Sequence, residues 1–171
     1  NSKEAEPISY SNYTTLSGDS IKTEDSITWS AVPDRIDPAK GFFLEPAVAK
    51  SKCNSAKDRD KSVDRGLRKR WQIESFYLVL REFLHYLGKL KTKTMGQKRR
   101  VVDFGCGSGA LTLTLAYLFP DVDFVGVDMK KNSIALMMKR ADEVGIHNLT
   151  GHVGLIEDYD YSTYGTPDVV M

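Results

Sequence analysis

The 171-residue chain has no apolar run approaching the roughly 18 residues that a membrane-crossing helix needs. It has only two cysteines, Cys53 and Cys106. Two separated thiols with no spacing pattern supply neither a disulfide scaffold nor a zinc site. It also lacks an excess of either charge: 24 Lys and Arg stand against 23 Asp and Glu, a formal net charge of +1. The global basic signature of a nucleic-acid binder is therefore missing, although a local basic patch is compatible with this balance. No membrane or metal partner is expected. The few thiols suit a reducing compartment, cytoplasmic or nuclear. What remains is ordinary for one soluble globular domain, with 41% hydrophobic and 27% charged residues. The chain starts at Asn1 and stops within the apolar run Val169-Val170-Met171. Both ends are expected to be cuts, so the sequence is a fragment and targeting signals cannot be read from it.

Residues 1–27 are polar and poor in large apolar side chains, a composition that cannot offset ordering entropy and predicts disorder. Residues 28–50 set Trp29, Val32, Ile36, Phe42, Phe43 and Leu44 among prolines and Gly41, which predicts an irregular segment docked on an apolar surface. Residues 51–65 read as a linker, so 1–65 form a largely irregular N-terminal segment. From Gly66 onward Ile73, Phe76, Tyr77, Leu80, Phe83, Leu84, Leu87 and Leu90 recur at steps of three and four, predicting an amphipathic helix over 67–90. A basic loop, 91–100, follows. Then come a strand at 101–104, a helix at 109–119 stopped by Pro120, a strand at 124–127, a helix at 131–144 ended by Gly145, a strand at 149–153 and a last strand at 168–171. This alternation predicts an α/β fold with a doubly wound, mostly parallel sheet, truncated after the fourth strand.

The first strand runs into Asp103-Phe104-Gly105-Cys106-Gly107-Ser108-Gly109. Parallel sheets bind ligands at the carboxyl ends of their strands, and glycines there let a ligand reach the backbone. The helix that follows turns free N–H groups and the positive end of its dipole toward the same place. Glycines alone are weak evidence, because Gly105, Gly107 and Ala110 also fit the dinucleotide pattern. Asp103 discriminates. A carboxylate there suits a cationic amine and is awkward beside a pyrophosphate. The second strand ends in Asp128, placed to accept hydrogen bonds from ribose hydroxyls.

This constellation resembles the signature of class I (Rossmann-like) S-adenosylmethionine-dependent methyltransferases, over roughly residues 67–171. The resemblance implies that 66–171 form the cofactor-binding half of a methyltransferase domain. In it, Asp103, Phe104, Gly105, Cys106, Gly107 and Gly109 hold the methionine moiety, Asp128 the ribose, and Met129 lies against adenine. Many members have Gly-Asp after the third strand, whereas this chain has Gly154-Leu155. Glu157 or Asp158 is then expected to receive the adenine amino group. The stretches Arg68-Lys69-Arg70-x-Gln72-Ile73-Glu74 and Gly154-x-Ile156-Glu157-Asp158-Tyr159 are similar to a methyltransferase-like group that includes the glutathione S-transferase C-terminal domain-containing protein.

The implied activity is transfer of the sulfonium methyl of S-adenosylmethionine to an acceptor. The alternatives are a catalytically inactive fold serving as a binding or scaffold protein, and an NAD-binding Rossmann domain. Acceptor-side residues of the family usually follow the fourth strand, so no catalytic residue can be named. RNA is weighed slightly above protein or a small molecule. The grounds are Arg65, Arg68, Lys69, Arg70 and Gln72, expected at the cofactor end, and Tyr159, Tyr161 and Tyr164, which could stack on a base. An exposed helix start and packed loop tyrosines account for the same residues. The basic stretch Lys89–Arg100 belongs at the amino end of the sheet, away from the ligand. Cys106 is read as a small residue in a tight loop and not as a nucleophile.

Overall fold

A computed structural model of the chain describes residues 26–40, 56–90 and 97–171, with side chains in the long helix described from Arg65 onward. The expectations for residues 1–25, for Phe42, Phe43 and Leu44, for Cys53 and for Lys91 and Lys93 fall outside the described residues.

The sheet has four strands, β1 (Arg99–Phe104), β2 (Val122–Asp128), β3 (Leu149–Val153) and β4 (Val169–Val170), in the order β3-β2-β1-β4. All three pairings are parallel, with Asp103 beside Gly126 and Gly126 beside Gly151. The helices are α1 (Ala56–Lys89), α2 (Ala110–Leu118), α3 (Lys131–Val144) and the single turn α4 (Tyr161–Tyr164). Each expected strand and helix of 99–171 is present, with bounds shifted by at most two residues. The chain moves outward from β1 to β2 and β3, then returns to the other side of β1, so the strand order reverses at β1. Doubly wound sheets bind their ligands beside that reversal.

Alternation along the strands divides the core in two. Val101, Val122, Phe124 and Leu149 face one way and pack with Ile73 and Leu80 of α1, Leu111, Leu113 and Leu115 of α2, and Ile134, Met137 and Ala141 of α3. Val102, Val125 and Val127 face the other way and meet Tyr159, Phe104 and Tyr164. Local stops match their residues. Pro120 follows α2, and Gly145, at φ 72°, closes α3 while its N–H and that of Ile146 return to the carbonyl of Ala141. The Asn148 amide donates to the carbonyls of Ala116, Phe119 and Val122, tying the end of α2 to the start of β2.

α1 begins at Ala56, within the stretch read as a linker. Lys, Asp and Arg dominate residues 57–65. Lysine and arginine are good helix formers, and the turns that follow bury an apolar face, so the helix extends into a segment with no apolar periodicity of its own.

Residues 26–40 form a strap across α1 and α2, with a short 3-10 turn at Trp29–Ala31. Val32 and Ile36 are buried in the main core, as expected of a docked segment, and Ile27, at the end of the stretch expected to be disordered, is buried with them because its apolar side chain joins the same cluster. Its polar ties are specific. Asp37, fully buried, accepts from Arg70 Nε at 2.8 Å, pairs with the Arg70 terminal nitrogen, and accepts from the Ala39 N–H at 2.9 Å. The Arg70 guanidinium lies 4.8 Å from the Trp29 ring centre, and Trp29 Nε1 donates to Glu74 Oε1 at 2.7 Å. Gly66 sits so close to Pro38 and Ala39 that a Cβ there would meet the Ala39 Cα at 2.6 Å.

Candidate functional site

The β1–α2 turn is built by backbone geometry. Gly105, Gly107 and Gly109 have φ of 78°, 57° and 79°, a region that L side chains rarely adopt. A Cβ at Gly105 or Gly107 would meet nothing within 4 Å, so the loop presents bare backbone to open space. At Gly109 a Cβ would strike the Met137 Cγ at 2.4 Å, so here glycine is also needed for packing. The N–H groups of Gly105 and Cys106 donate to the Val127 carbonyl at 2.8 and 3.1 Å, which fixes the turn against β2. No side chain caps the start of α2.

Two carboxylates flank this loop. Asp103 is buried at 6% exposure and takes the Thr112 hydroxyl at 2.5 Å. Burial pushes its pKa up, the Thr112 hydrogen bond and the positive charge of Lys69 pull it back, and Asp128 pushes it up again. Asp128 accepts from the Gly107 N–H through one oxygen, at 2.9 Å, and from the Lys130 N–H through the other, at 2.8 Å. Its backbone carbonyl takes the Gly154 N–H at 3.2 Å, linking the ends of β2 and β3.

The structure thus gathers Asp103, the Phe104–Gly109 loop, Asp128, Met129, Glu157 and Asp158 at the carboxyl ends of β1, β2 and β3. Their individual roles differ. Phe104 turns its ring to the opposite face of the sheet, edge-on to Tyr159 at 5.6 Å, so its backbone is what lies in the loop. Met129 and Leu155 are exposed apolar side chains after β2 and β3. Asp158 accepts from the Leu155 N–H at 3.0 Å, spending one oxygen on its own turn, while Glu157 is exposed.

Cys106 lies against Gly126, where an added Cβ would meet its Sγ at 3.0 Å. Burial first, then the negative charges of Asp103 and Asp128, raise its thiol pKa to about 12. The thiolate is the reactive form, so this cysteine is no nucleophile. Alkylation by iodoacetamide at about pH 8 is expected to be at least about 100-fold slower than for free cysteine, read by mass spectrometry of the Cys106 peptide. Labelling at the free rate would contradict this.

The basic clusters separate as the topology requires. At the amino end of the sheet, Arg99 pairs with Asp168 at 3.0 Å and donates to the Leu87 carbonyl, and Arg100 and Lys98 approach Asp123 at 3.5 and 3.9 Å. The α1 cluster divides. Arg70 is taken by Asp37 and Trp29, Lys69 lies within electrostatic reach of Asp103, and Arg65 and Arg68 are exposed. The tyrosines divide too. Tyr159 is buried, donates to the Gly165 carbonyl at 3.0 Å and packs on Tyr164, whose hydroxyl meets His152 Nδ1 at 3.1 Å. Tyr161 remains exposed at 62%.

Sequence reasoning missed Thr112 and Asp37. The signal for Thr112 was a threonine within the otherwise apolar first turns of α2, where a buried hydroxyl needs a partner. Asp37 lay in an irregular segment with nothing local to mark it.

Among the described residues, no group of three or more His, Cys, Asp or Glu could hold a metal, and no helix is long and apolar enough to cross a membrane.

Residues 96–171 match a family described as "Methyltransferase domain". The human protein named glutathione S-transferase C-terminal domain-containing protein is 30% identical over 124 residues, which is 72% of this chain and 15% of that protein. A tRNA (guanine-N(7)-)-methyltransferase of Clostridium acetobutylicum is 25% identical over 87 residues, 48% of this chain and 41% of its own length. A solved structure titled PKMT2 from Rickettsia typhi in complex with AdoHcy is 32% identical, covers 52% of this chain and 17% of that one, and superposes with a TM-score of 0.41. The chain spans 15% of the length of the glutathione S-transferase C-terminal domain-containing proteins that it matches.

Proposed function

We propose that residues 96–171, which match the family described as "Methyltransferase domain", form the cofactor-binding part of a class I methyltransferase, bind S-adenosylmethionine at the carboxyl ends of β1 and β2 and serve methyl transfer to an acceptor. The observation that carries this reading is the pair of carboxylates on either side of an open, bare-backbone loop. The residues present fit the ligand. Asp103 is a buried carboxylate that accepts from the Thr112 hydroxyl through one oxygen, suited to an ammonium group; Asp128, anchored by two backbone N–H groups, is suited to ribose hydroxyls. Loop backbone at Gly105 and Gly107 takes the methionine chain, and Met129 and Leu155 offer apolar surface to adenine. For the adenine amino group, Glu157 is the better placed acceptor, because Asp158 is engaged on its own turn.

When bound, S-adenosylmethionine supplies a methyl group on a cationic sulfur. The protein's part is alignment, which can contribute about 7–11 kcal/mol when reacting atoms are held in near-attack geometry. Asp103 fixes one end of the ligand and Asp128 the other. Cys106, held as a neutral thiol, does not compete for the methyl group. A dinucleotide fits less well, since Asp103 would face a pyrophosphate at the same turn.

RNA is the acceptor we propose to test first. Arg65 and Arg68 are exposed on the turn of α1 that carries Lys69, Tyr161 is exposed beyond β3, and one relative is named for tRNA. The test is calorimetric titration of S-adenosylhomocysteine with NAD as control, followed by transfer of a labelled methyl group to total RNA or to protein. Micromolar binding that NAD does not share supports the site. Absence of binding would overturn it, and binding without transfer to any acceptor would favour the scaffold alternative. Label in protein alone would displace RNA.

Asp103 gives a second prediction. Its pKa is raised in the fold, so its contribution to stability is present below the ordinary carboxylate pKa and is lost as pH rises through the raised value. Asp103→Asn is therefore expected to melt no lower than wild type at neutral pH and to flatten the fall of Tm that wild type shows as pH rises above the ordinary carboxylate pKa. It should also abolish ligand binding. A variant that is less stable at pH 7 would show that the ionised carboxylate supports the fold.

A further inference from the structure

We propose that the second face of the sheet carries an anion site near its amino end, in which Arg100, Thr150 and His147 take a terminal phosphate group. The site lies apart from the carboxylate pair and does not depend on the cofactor reading.

Sheet register builds it. Arg100 pairs with Asp123, and Val125 with Thr150. Alternation puts all four on the face of Val102 and Val127, turned away from the cluster that α1, α2 and α3 share. Toward the carboxyl end, Phe104, Tyr159 and Tyr164 cover that face. Toward the amino end it stays open, as a groove of about 230 Å³ with Thr163 and Tyr164 of α4 for one wall. Arg100 is three strand residues from Asp103, about 10 Å, and on the opposite face. Sites that enclose a drug-sized molecule take about 300–1,000 Å³. This groove therefore fits a small anion or the charged head of a larger molecule, and not a whole cofactor.

The donors point to an anion. The Arg100 side chain is 30% exposed, and its guanidinium lies against Gly165, where an added Cβ would collide with Nη1. Its ion partner Asp123 stands 3.5 Å away, beyond ordinary hydrogen-bond length. Among the described residues nothing else accepts from this guanidinium, so a half-buried fork of N–H donors is left to serve a ligand. Asp123 does not cancel the charge, because Lys98 approaches it too, at 3.9 Å, and two cations share one carboxylate. Across the groove, Thr150 and His147 are exposed. The hydroxyls of Thr163 and Tyr164 are engaged by Asp160 and His152, so they form wall and not donors. A guanidinium pairs with carboxylate or phosphate through two parallel bonds. Donors on three separate segments favour a terminal phosphate, which has three acceptor oxygens to divide among them. A small phosphomonoester and the 5′ end of an RNA both carry that group.

The experiment follows backbone amide NMR shifts of the whole chain as inorganic phosphate is added, with acetate as control. Phosphate should saturate at about 1 mM or below, with shifts gathered at Arg100, His147, Thr150 and Gly165, and acetate should bind more weakly. Arg100→Gln should weaken phosphate by at least about 10-fold. Thr150→Val, which keeps the shape of an exposed strand residue and removes the hydroxyl, should weaken it by about 3- to 10-fold. It keeps the test sound if the Arg100 variant folds poorly. A 5′-phosphorylated oligoribonucleotide that displaces phosphate at lower concentration than a small phosphomonoester would support the site and assign it to an RNA end; the reverse order would support it and assign it to the small molecule. Shifts that do not saturate, that acetate reproduces equally, or that both variants leave unchanged would overturn the site. Equal displacement by the same oligonucleotide without its 5′ phosphate would overturn the terminal-phosphate reading.

Discussion

Asp128→Ala is expected to reduce S-adenosylhomocysteine affinity by about 100-fold or more while leaving the protein folded. The side chain has two tasks. It holds the loop through the Gly107 N–H and the end of β2 through the Lys130 N–H. On the proposed reading, its remaining lone pairs accept from the ribose hydroxyls. Hydrogen bonds to a charged group contribute about 1.5–3 kcal/mol each, so losing two to the ligand accounts for a 100-fold effect before any loosening of Gly107. Asp128→Asn separates the tasks. An amide has one oxygen, so it can keep the Gly107 or the Lys130 contact but not both, and it lacks the charge. It should fall between wild type and alanine. Titration calorimetry reads both. An alanine variant within a few-fold of wild type would remove Asp128 from the ligand site.

The second large effect is on stability. Asp37→Ala should lower the thermal midpoint by about 6–15 °C, because removing one partner of a buried ion pair costs about 3–5 kcal/mol. The loss is large because nothing replaces it. Asp37 is fully buried, and the Arg70 side chain is 19% exposed. Without the carboxylate, Arg70 keeps only the face of Trp29, and the Ala39 N–H loses its acceptor. Asp37→Asn, which retains an oxygen for Ala39, should cost less. Replacing the pair together, as Asp37→Leu with Arg70→Met, should recover much of the stability, since a buried ion pair contributes little net energy over an apolar pair that packs well. Melts followed by circular dichroism decide the matter. Equal midpoints for wild type and Asp37→Ala would mean that the strap is not held by this contact.

The alternation from β1 to β3 was legible because each strand and helix there announces itself locally. Val101–Phe104 is a short apolar run, Pro120 and Gly145 punctuate the helices, and the glycine loop with Asp103 and Asp128 carries its chemistry in the residue types themselves. The carboxyl-end location then follows from topology. What stayed hidden depends on distance in sequence. Asp37 and Arg70 are one unit only after folding, and neither position hints at the other. The start of α1 was misread because a charged stretch without apolar periodicity looks the same in a linker and on an exposed helix. The basic cluster at 65–70 looked uniform, yet burial gives its members different work: Arg70 braces the strap, whereas Arg65 and Arg68 are exposed. The tyrosines after β3 look alike in sequence, and only packing separates buried Tyr159 from exposed Tyr161.

The stretch that matches the methyltransferase family begins at residue 96, whereas the main core also draws Ile27, Val32 and Ile36 from the strap and Ile73 and Leu80 from α1. The unit of homology and the unit of folding therefore do not coincide. An expression boundary drawn at the homology match would strip the side of α2 on which Thr114 and Tyr117 now donate to the strap carbonyls of Ile36 and Ala31, whereas a boundary placed ahead of Ile27 keeps that layer sealed.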